Sequence, residues 1–201
     1  MHLKRNQAPR SWPIPRKGTK FLVRNRKNGI SVLLLIRDVM KKAKSRDEVK
    51  EIIHDKKVKV NGKIIRDEKF TLSLFDILEL GDSKFKVVLK NKKFGLEETK
   101  EHEKISKIIN KKILAGNKVQ INLNDGRNFI SNEKFRIGDS VMLCDGKIKK
   151  LELKEGAKIV VINGKYIGKE GQIEKIDGKN ANISLKEGKT NLKLNDIMAI
   201  K

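Results

Sequence analysis

The sequence predicts a multi-domain α+β protein: a basic extended arm followed by a helix–helix–hairpin module, a small β-rich central module and a carboxy-terminal barrel. Three observations carry that expectation. Residues 1–37 hold ten basic residues and no acid. Residues 31–90 then pass from helical to strand periodicity in the order helix, helix, hairpin. Beyond them, turn signals recur at Asn124-Asp125-Gly126, Asp145-Gly146, Asn163-Gly164 and Asp177-Gly178, a spacing suited to short strands and small barrels. The expected modules are 1–30, 31–90, 91–153 and 154–201.

All three prolines, Pro9, Pro13 and Pro15, lie in the arm and disfavour regular helix or strand there. Lys4, Arg5, Arg10, Arg16, Lys17, Lys20, Arg24, Arg26 and Lys27 line it, with Trp12 in the middle. A disordered basic tail has this composition, and so does an arm that orders on RNA. The second reading offers Trp12 a base, a sugar edge or the protein body to pack on. The free protein is expected to leave the arm unordered.

From Ser31 to about Lys44, Val32, Leu35, Ile36, Val39 and Ala43 follow helical spacing. Ser45-Arg46-Asp47-Glu48 has the form of a capping box and opens a second helix to about Asp55, with Val49, Ile52 and Ile53 on its apolar face. Alternation on both sides of Asn61-Gly62 predicts a hairpin. Strands are expected over 76–80 and 85–89, joined by Gly81-Asp82. Residues 97–104 have helical composition, and 105–113 read as a strand. Val119-Gln120-Ile121-Asn122-Leu123 and Val141-Met142-Leu143 alternate as strands do, and Cys144 is expected to be buried in one.

The helix–helix–hairpin order, carried by Ser45-Arg46-Asp47-Glu48, Val58-Lys59-Val60-Asn61-Gly62-Lys63 and Asp76-Ile77-Leu78-Glu79-Leu80, resembles the alpha-L RNA-binding fold of bacterial ribosomal protein four. That resemblance implies an RNA-facing groove lined by the exposed helix surface and the hairpin edge. It would bring Arg37, Lys41, Lys42, Arg46, Lys56, Lys57, Lys59 and Lys63 near phosphates. The stretch 157–164 followed by Gly168-Lys169-Glu170-Gly171-Gln172-Ile173 resembles the KOW motif, an SH3-like barrel of ribosomal and transcription-elongation proteins. Glycines let that loop turn sharply while Lys165 and Lys169 project from it.

In order along the whole chain, these pieces resemble the archaeal and eukaryotic small-subunit ribosomal protein four-e family. Its likeness also rests on His2-Leu3-Lys4-Arg5, Ala8-Pro9-Arg10, Trp12, Leu35-Ile36-Arg37-Asp38, residues 122–128 and the closing Asn195-Asp196-Ile197-Met198-Ala199-Ile200. The segment 23–29 departs from it, lacking the prolines usual before the first helix. The resemblance implies a structural constituent of the small ribosomal subunit, cytoplasmic and ribosome-associated, with rRNA and neighbouring ribosomal proteins as partners. It adds His2 to the RNA contacts, and Arg127 as an RNA contact or an anchor of its turn. The alternative is a transcription or ribosome-assembly factor whose KOW barrel binds a protein.

Charge agrees with an RNA partner. A net +23 from 48 Lys+Arg against 25 Asp+Glu suits a polyanion, since each neutralised phosphate releases counterions. The most apolar run, 30–36, stops at Arg37, short of the roughly 20 residues that span a bilayer. The amino terminus lacks a secretory pattern, because basic residues continue where an apolar core would follow. One cysteine and three scattered histidines give no metal-ligand spacing, so neither metal nor cofactor is expected. RNA-modifying enzymes also carry the alpha-L fold, but no glycine-rich cofactor loop, nucleophile–base pair or acidic cluster is visible here. Asp125 reads as a turn residue, and no catalysis is expected.

Overall fold

The computed structural model describes residues 3–23, 29–100, 103–131, 133–144 and 147–201. The chain divides into two compact units, Met1–His102 and Glu103–Lys201.

In the first unit, β1 (Leu3–Lys4) pairs antiparallel with β2 (Phe21–Leu22) and closes the arm into a loop. Trp12 is buried inside it, and its indole Nε1 donates to the Gly29 carbonyl at 2.9 Å. Leu3, Ala8, Ile14 and Leu22 join Trp12 on the core. Residues 3–23 therefore pack on the body in this structure, through Trp12 and its apolar neighbours. Burial of Trp12 and Leu22 offsets the entropy of ordering a proline-stiffened segment.

β3 (Ile30–Ser31) leads straight into α1 (Val32–Leu34), with Ser31 Oγ accepting from Leu34 N at 3.4 Å. The helix widens to a π turn over Leu35–Val39 and ends there, not at Lys44. Met40 N donates to Leu35 O at 2.8 Å and Lys42 N to Ile36 O at 3.0 Å, while Lys41 turns left-handed at φ 55°. A left-handed residue stops helix propagation. α2 (Arg46–His54) starts where the capping box predicts: Ser45 Oγ accepts from Glu48 N at 3.2 Å, and the Glu48 carboxylate accepts from Lys44 N at 2.8 Å. Val49 and Ile53 are buried and Ile52 half-buried.

β4 (Val58–Val60) and β5 (Lys63–Ile64) form the expected hairpin. β6 (Thr71–Leu72) returns to pair with β3. β7 (Ile77–Leu80), β8 (Ser83–Lys90) and β9 (Lys93–Glu98) complete a sheet in the order β5-β4-β7-β8-β9. Val58, Val60, Leu78 and Val87 bury its inner face under the helices. Glu97 and Glu98 are in strand, paired with Lys86 and Phe85, so the helical composition of 97–104 is overridden by sheet pairing.

The second unit opens with β10 (Lys104–Ile113), β11 (Val119–Leu123), β12 (Asn128–Ser131), β13 (Ser140–Cys144) and β14 (Lys147–Leu151), ordered β12-β11-β10-β13-β14. Ile108, Ile121, Leu123, Phe135 and Val141 form their core. Cys144 ends β13 half-buried, not buried as expected, because it sits at the strand's last position.

β15 (Lys158–Val161), β16 (Glu170–Asp177), β17 (Asn180–Leu185), β18 (Gly188–Lys193) and β19 (Ile197–Ala199) follow, ordered β18-β17-β16-β15-β19. They enclose Ile159, Val161, Ile173, Ala181, Ile183, Leu185 and Ile197. At Gly171 a Cβ would meet the Ser184 carbonyl oxygen at 2.6 Å, so this close approach of β16 to β17 requires glycine.

Strand alternation shows a buried seam between the two sheets of this unit. Val160 and Met198 point away from the core residues beside them, yet both are buried. Ile105, Lys107, Ser140 and Met142 do the same on β10 and β13. Lys107 Nζ donates across the seam to Leu194 O at 2.6 Å, Asn195 O at 3.0 Å and Ile197 O at 2.7 Å. Burial lowers its pKa to about 8, opposed by Asp196.

The architecture is strand-rich. Among the described residues, helix is confined to α1 with its π turn, α2 and isolated 3-10 turns. No helix there is long and apolar enough to cross a membrane.

Candidate nucleic-acid interface

In the first unit the ends of both helices converge on the β7–β8 turn. Gly81 N donates to Lys57 O at 3.2 Å, which sets Lys56 and Lys57 beside that turn. Met40, Lys42, Leu80, Ser83 and Phe85 line a cleft of about 500 Å³ at the same edge. Lys41 and Lys42 follow one helix and Lys56 and Lys57 the other, positions where a cation also favours the helix dipole.

The neighbouring hairpin adds Lys59 and Lys63. Lys59 lies between the buried Val58 and Val60 and so projects from the opposite face. Asn61 holds the hairpin in place: its Nδ2 donates to Asp76 Oδ1 and its Oδ1 accepts from Ile77 N, both at 3.0 Å. Lys41, Lys42, Lys56, Lys59 and Lys63 are all exposed, and among the described residues none has a side-chain partner.

Other candidate cations are engaged within the protein. Arg46 grips the buried Glu68 carboxylate in a bidentate pair, its Nε 2.8 Å from Oε1, and this contact raises the Arg46 pKa. Arg37 pairs with Asp38 at 2.9 Å and Lys57 with Asp55 at 2.8 Å. Arg5 donates to Thr19 O and Pro15 O at 2.7 Å and to Thr19 Oγ1 at 2.8 Å. It staples the arm loop, and Trp12 packs on the protein body, one of the three partners the sequence offered it. Lys4, Arg10, Arg16, Lys17 and Lys20 are exposed, with Lys20 5.6 Å from the Phe21 ring centre. His2, Arg24, Arg26 and Lys27 lie outside the described residues, as does the Asp145-Gly146 turn.

In the second unit, Asp125 forms a buried ion pair with Lys104, accepts from Arg127 N at 2.9 Å and lies 3.6 Å from the Arg127 guanidinium. Burial pushes its carboxyl up, but Lys104 and Arg127 hold it below its ordinary value. Arg127 is thus an anchor of its turn. Lys165 and Lys169 flank the Tyr166 ring at 5.6 and 5.7 Å, and Lys169 also pairs with Glu187. Among the described residues no group of three His, Cys, Asp or Glu side chains could hold a metal ion.

Known proteins resemble this chain over most of its length. Small ribosomal subunit protein eS4 of Methanocella arvoryzae is 34% identical over 191 residues, covering 87% of this chain and 80% of the relative. The chain belongs to the ribosomal S4e family. The family model itself matches residues 82–150, with an S4 domain over 38–78, an RS4NT (NUC023) domain over 1–27 and a KOW motif over 155–186. The eS4 protein of Methanothermobacter thermautotrophicus is 29% identical over 224 residues, covering 99% of this chain and 91% of that one. The 30S ribosomal protein S4e of Thermoplasma acidophilum superposes with a TM-score of 0.73 at 27% identity, covering 85% of this chain and 94% of its own.

On this S4e chain, the S4 match spans α2 and the hairpin, the elements that present Lys56, Lys59 and Lys63. Sequence reasoning missed the cations at the far end of the same sheet. Lys90-Asn91-Lys92-Lys93 is a dense basic run between two strand patterns, and that density was the available signal.

Proposed function

We propose that this chain is a structural constituent of the small ribosomal subunit that holds small-subunit rRNA and carries out no catalytic step. One observation carries the reading: five exposed lysines without a side-chain partner among the described residues, Lys41, Lys42, Lys56, Lys59 and Lys63, gathered at the helix ends and hairpin of the S4 region. Such cations bind phosphate and sugar and fix orientation, while the deep groove of A-form RNA stays closed to side chains. Named relatives of the small subunit and a net charge of +23 support it.

The partners are then rRNA and neighbouring ribosomal proteins, and the place of work is the cytoplasmic ribosome. The arm over 1–30 and the modules over 31–90, 91–153 and 154–201 would each add contacts, and linked contacts gain by effective concentration. The non-catalytic part of the reading is supported by Asp125, whose carboxylate is committed to Lys104 and Arg127.

Titration of an rRNA fragment with the protein at several salt concentrations tests it. Log affinity is expected to fall linearly with log salt. A variant with Lys41, Lys56, Lys59 and Lys63 changed to Gln should flatten that line by about 0.7–0.9 in slope per lost phosphate contact. An affinity indifferent to salt would refute the reading.

A further inference from the structure

We propose that the β8–β9 hairpin tip is a second phosphate-binding site on the first unit, with Lys92 its principal contact. The inference rests on the RNA-binding reading above and extends it to a surface that reading does not use.

Two hairpins of the same sheet provide an internal comparison. In β4–β5 the closing pair is Val60 with Lys63, and the two turn residues are Asn61 at φ 50° and Gly62 at φ 77°. In β8–β9 the closing pair is Lys90 with Lys93, and the turn residues are Asn91 at φ 48° and Lys92 at φ 64°. Both are two-residue turns with left-handed backbone at both positions, the geometry that favours Asn-Gly. The first hairpin has that pair. The second holds a lysine where glycine is favoured, in a conformation that costs stability for any residue with a Cβ.

Among the described residues no side-chain contact offsets that cost. Lys92 is exposed and no side-chain partner for it is present among the described residues; the same holds for Lys93. It does not sit at a helix end, where the dipole would reward a cation. Strained residues held without internal benefit cluster at functional sites.

The surroundings fit an anion. The Ser11 carbonyl accepts from Phe94 N at 2.8 Å, so the arm meets β9 one residue past Lys93, and Arg10, the residue before Ser11, is exposed. Glu97 is committed to Lys90 at 2.7 Å. Lys92 and Lys93, with the exposed Arg10 one residue from the arm's contact with β9, supply cations suited to an RNA backbone by charge alone, without base readout.

The test is Lys92→Gly in the full chain, read by melting temperature and by the salt dependence of rRNA-fragment binding. The site predicts opposite effects: a higher melting temperature, and a salt slope shallower by about one phosphate contact. Lys93→Gln should also lower the slope with the backbone unaltered. A more stable Lys92→Gly protein whose affinity and slope match wild type would overturn the site. So would a less stable one, which would mean that Lys92 serves the fold. Wild-type protein that fails to bind rRNA at any salt would instead defeat the underlying reading.

Discussion

Trp12 Nε1 donates to the Gly29 carbonyl at 2.9 Å, across 17 residues of sequence. That bond, with the burial of the ring, joins the basic arm to the first unit's core. Trp12→Ala should lower unfolding stability by about 3–5 kcal/mol, the cost of emptying a buried aromatic site. Chemical denaturation measures the loss, and limited proteolysis should then cut within residues 3–23. Unchanged stability would mean that the arm does not share the core.

Arg46 should act through the fold. Its bidentate grip holds the buried Glu68 carboxylate, so Arg46→Ala leaves that group without its charged partner and should cost about 1–3 kcal/mol. The salt slope of rRNA binding should stay at the wild-type value. A slope that falls in the variant would return Arg46 to the RNA-facing surface.

Lys107 gives the second unit a defined pH dependence. Its pKa in the folded protein is lowered from 10.5 to about 8 by burial. Between those values the unfolded chain holds a proton that the folded one has released, so stability rises with pH through that window. Unfolding of wild type and Lys107→Met at pH 7.5 and 10 isolates the effect. The upward contribution should be present in wild type and absent from the variant. Equal pH responses would contradict it.

Gly171→Ala should be destabilising by about 1–3 kcal/mol, since its Cβ would be 2.6 Å from the Ser184 carbonyl oxygen. Thermal unfolding measures it. A neutral result would show that β16 and β17 separate without cost.

What the sequence made legible was local. The capping box at Ser45 and Glu48 and the turn at Asn61-Gly62 involve neighbouring residues, and both form as their patterns predict. The end of the first helix was not legible, because it depends on a π turn and on the left-handed Lys41, neither with an evident signal. Cations were harder still. Arg46 meets Glu68 across 22 residues and Lys107 meets Leu194 across 87, so only tertiary structure separates engaged cations from available ones. Trp12 illustrates the same limit: the sequence offered it a base, a sugar or the protein body, and the core decided.

A structural constituent holds a permanent place in the small ribosomal subunit. The most direct test of that place is gradient sedimentation of a cell lysate after a high-salt wash, with this chain quantified across the fractions. Close to one copy per small subunit is expected to remain after the wash. Release into the light fractions, or a small substoichiometric share bound, would contradict it and favour a transient factor.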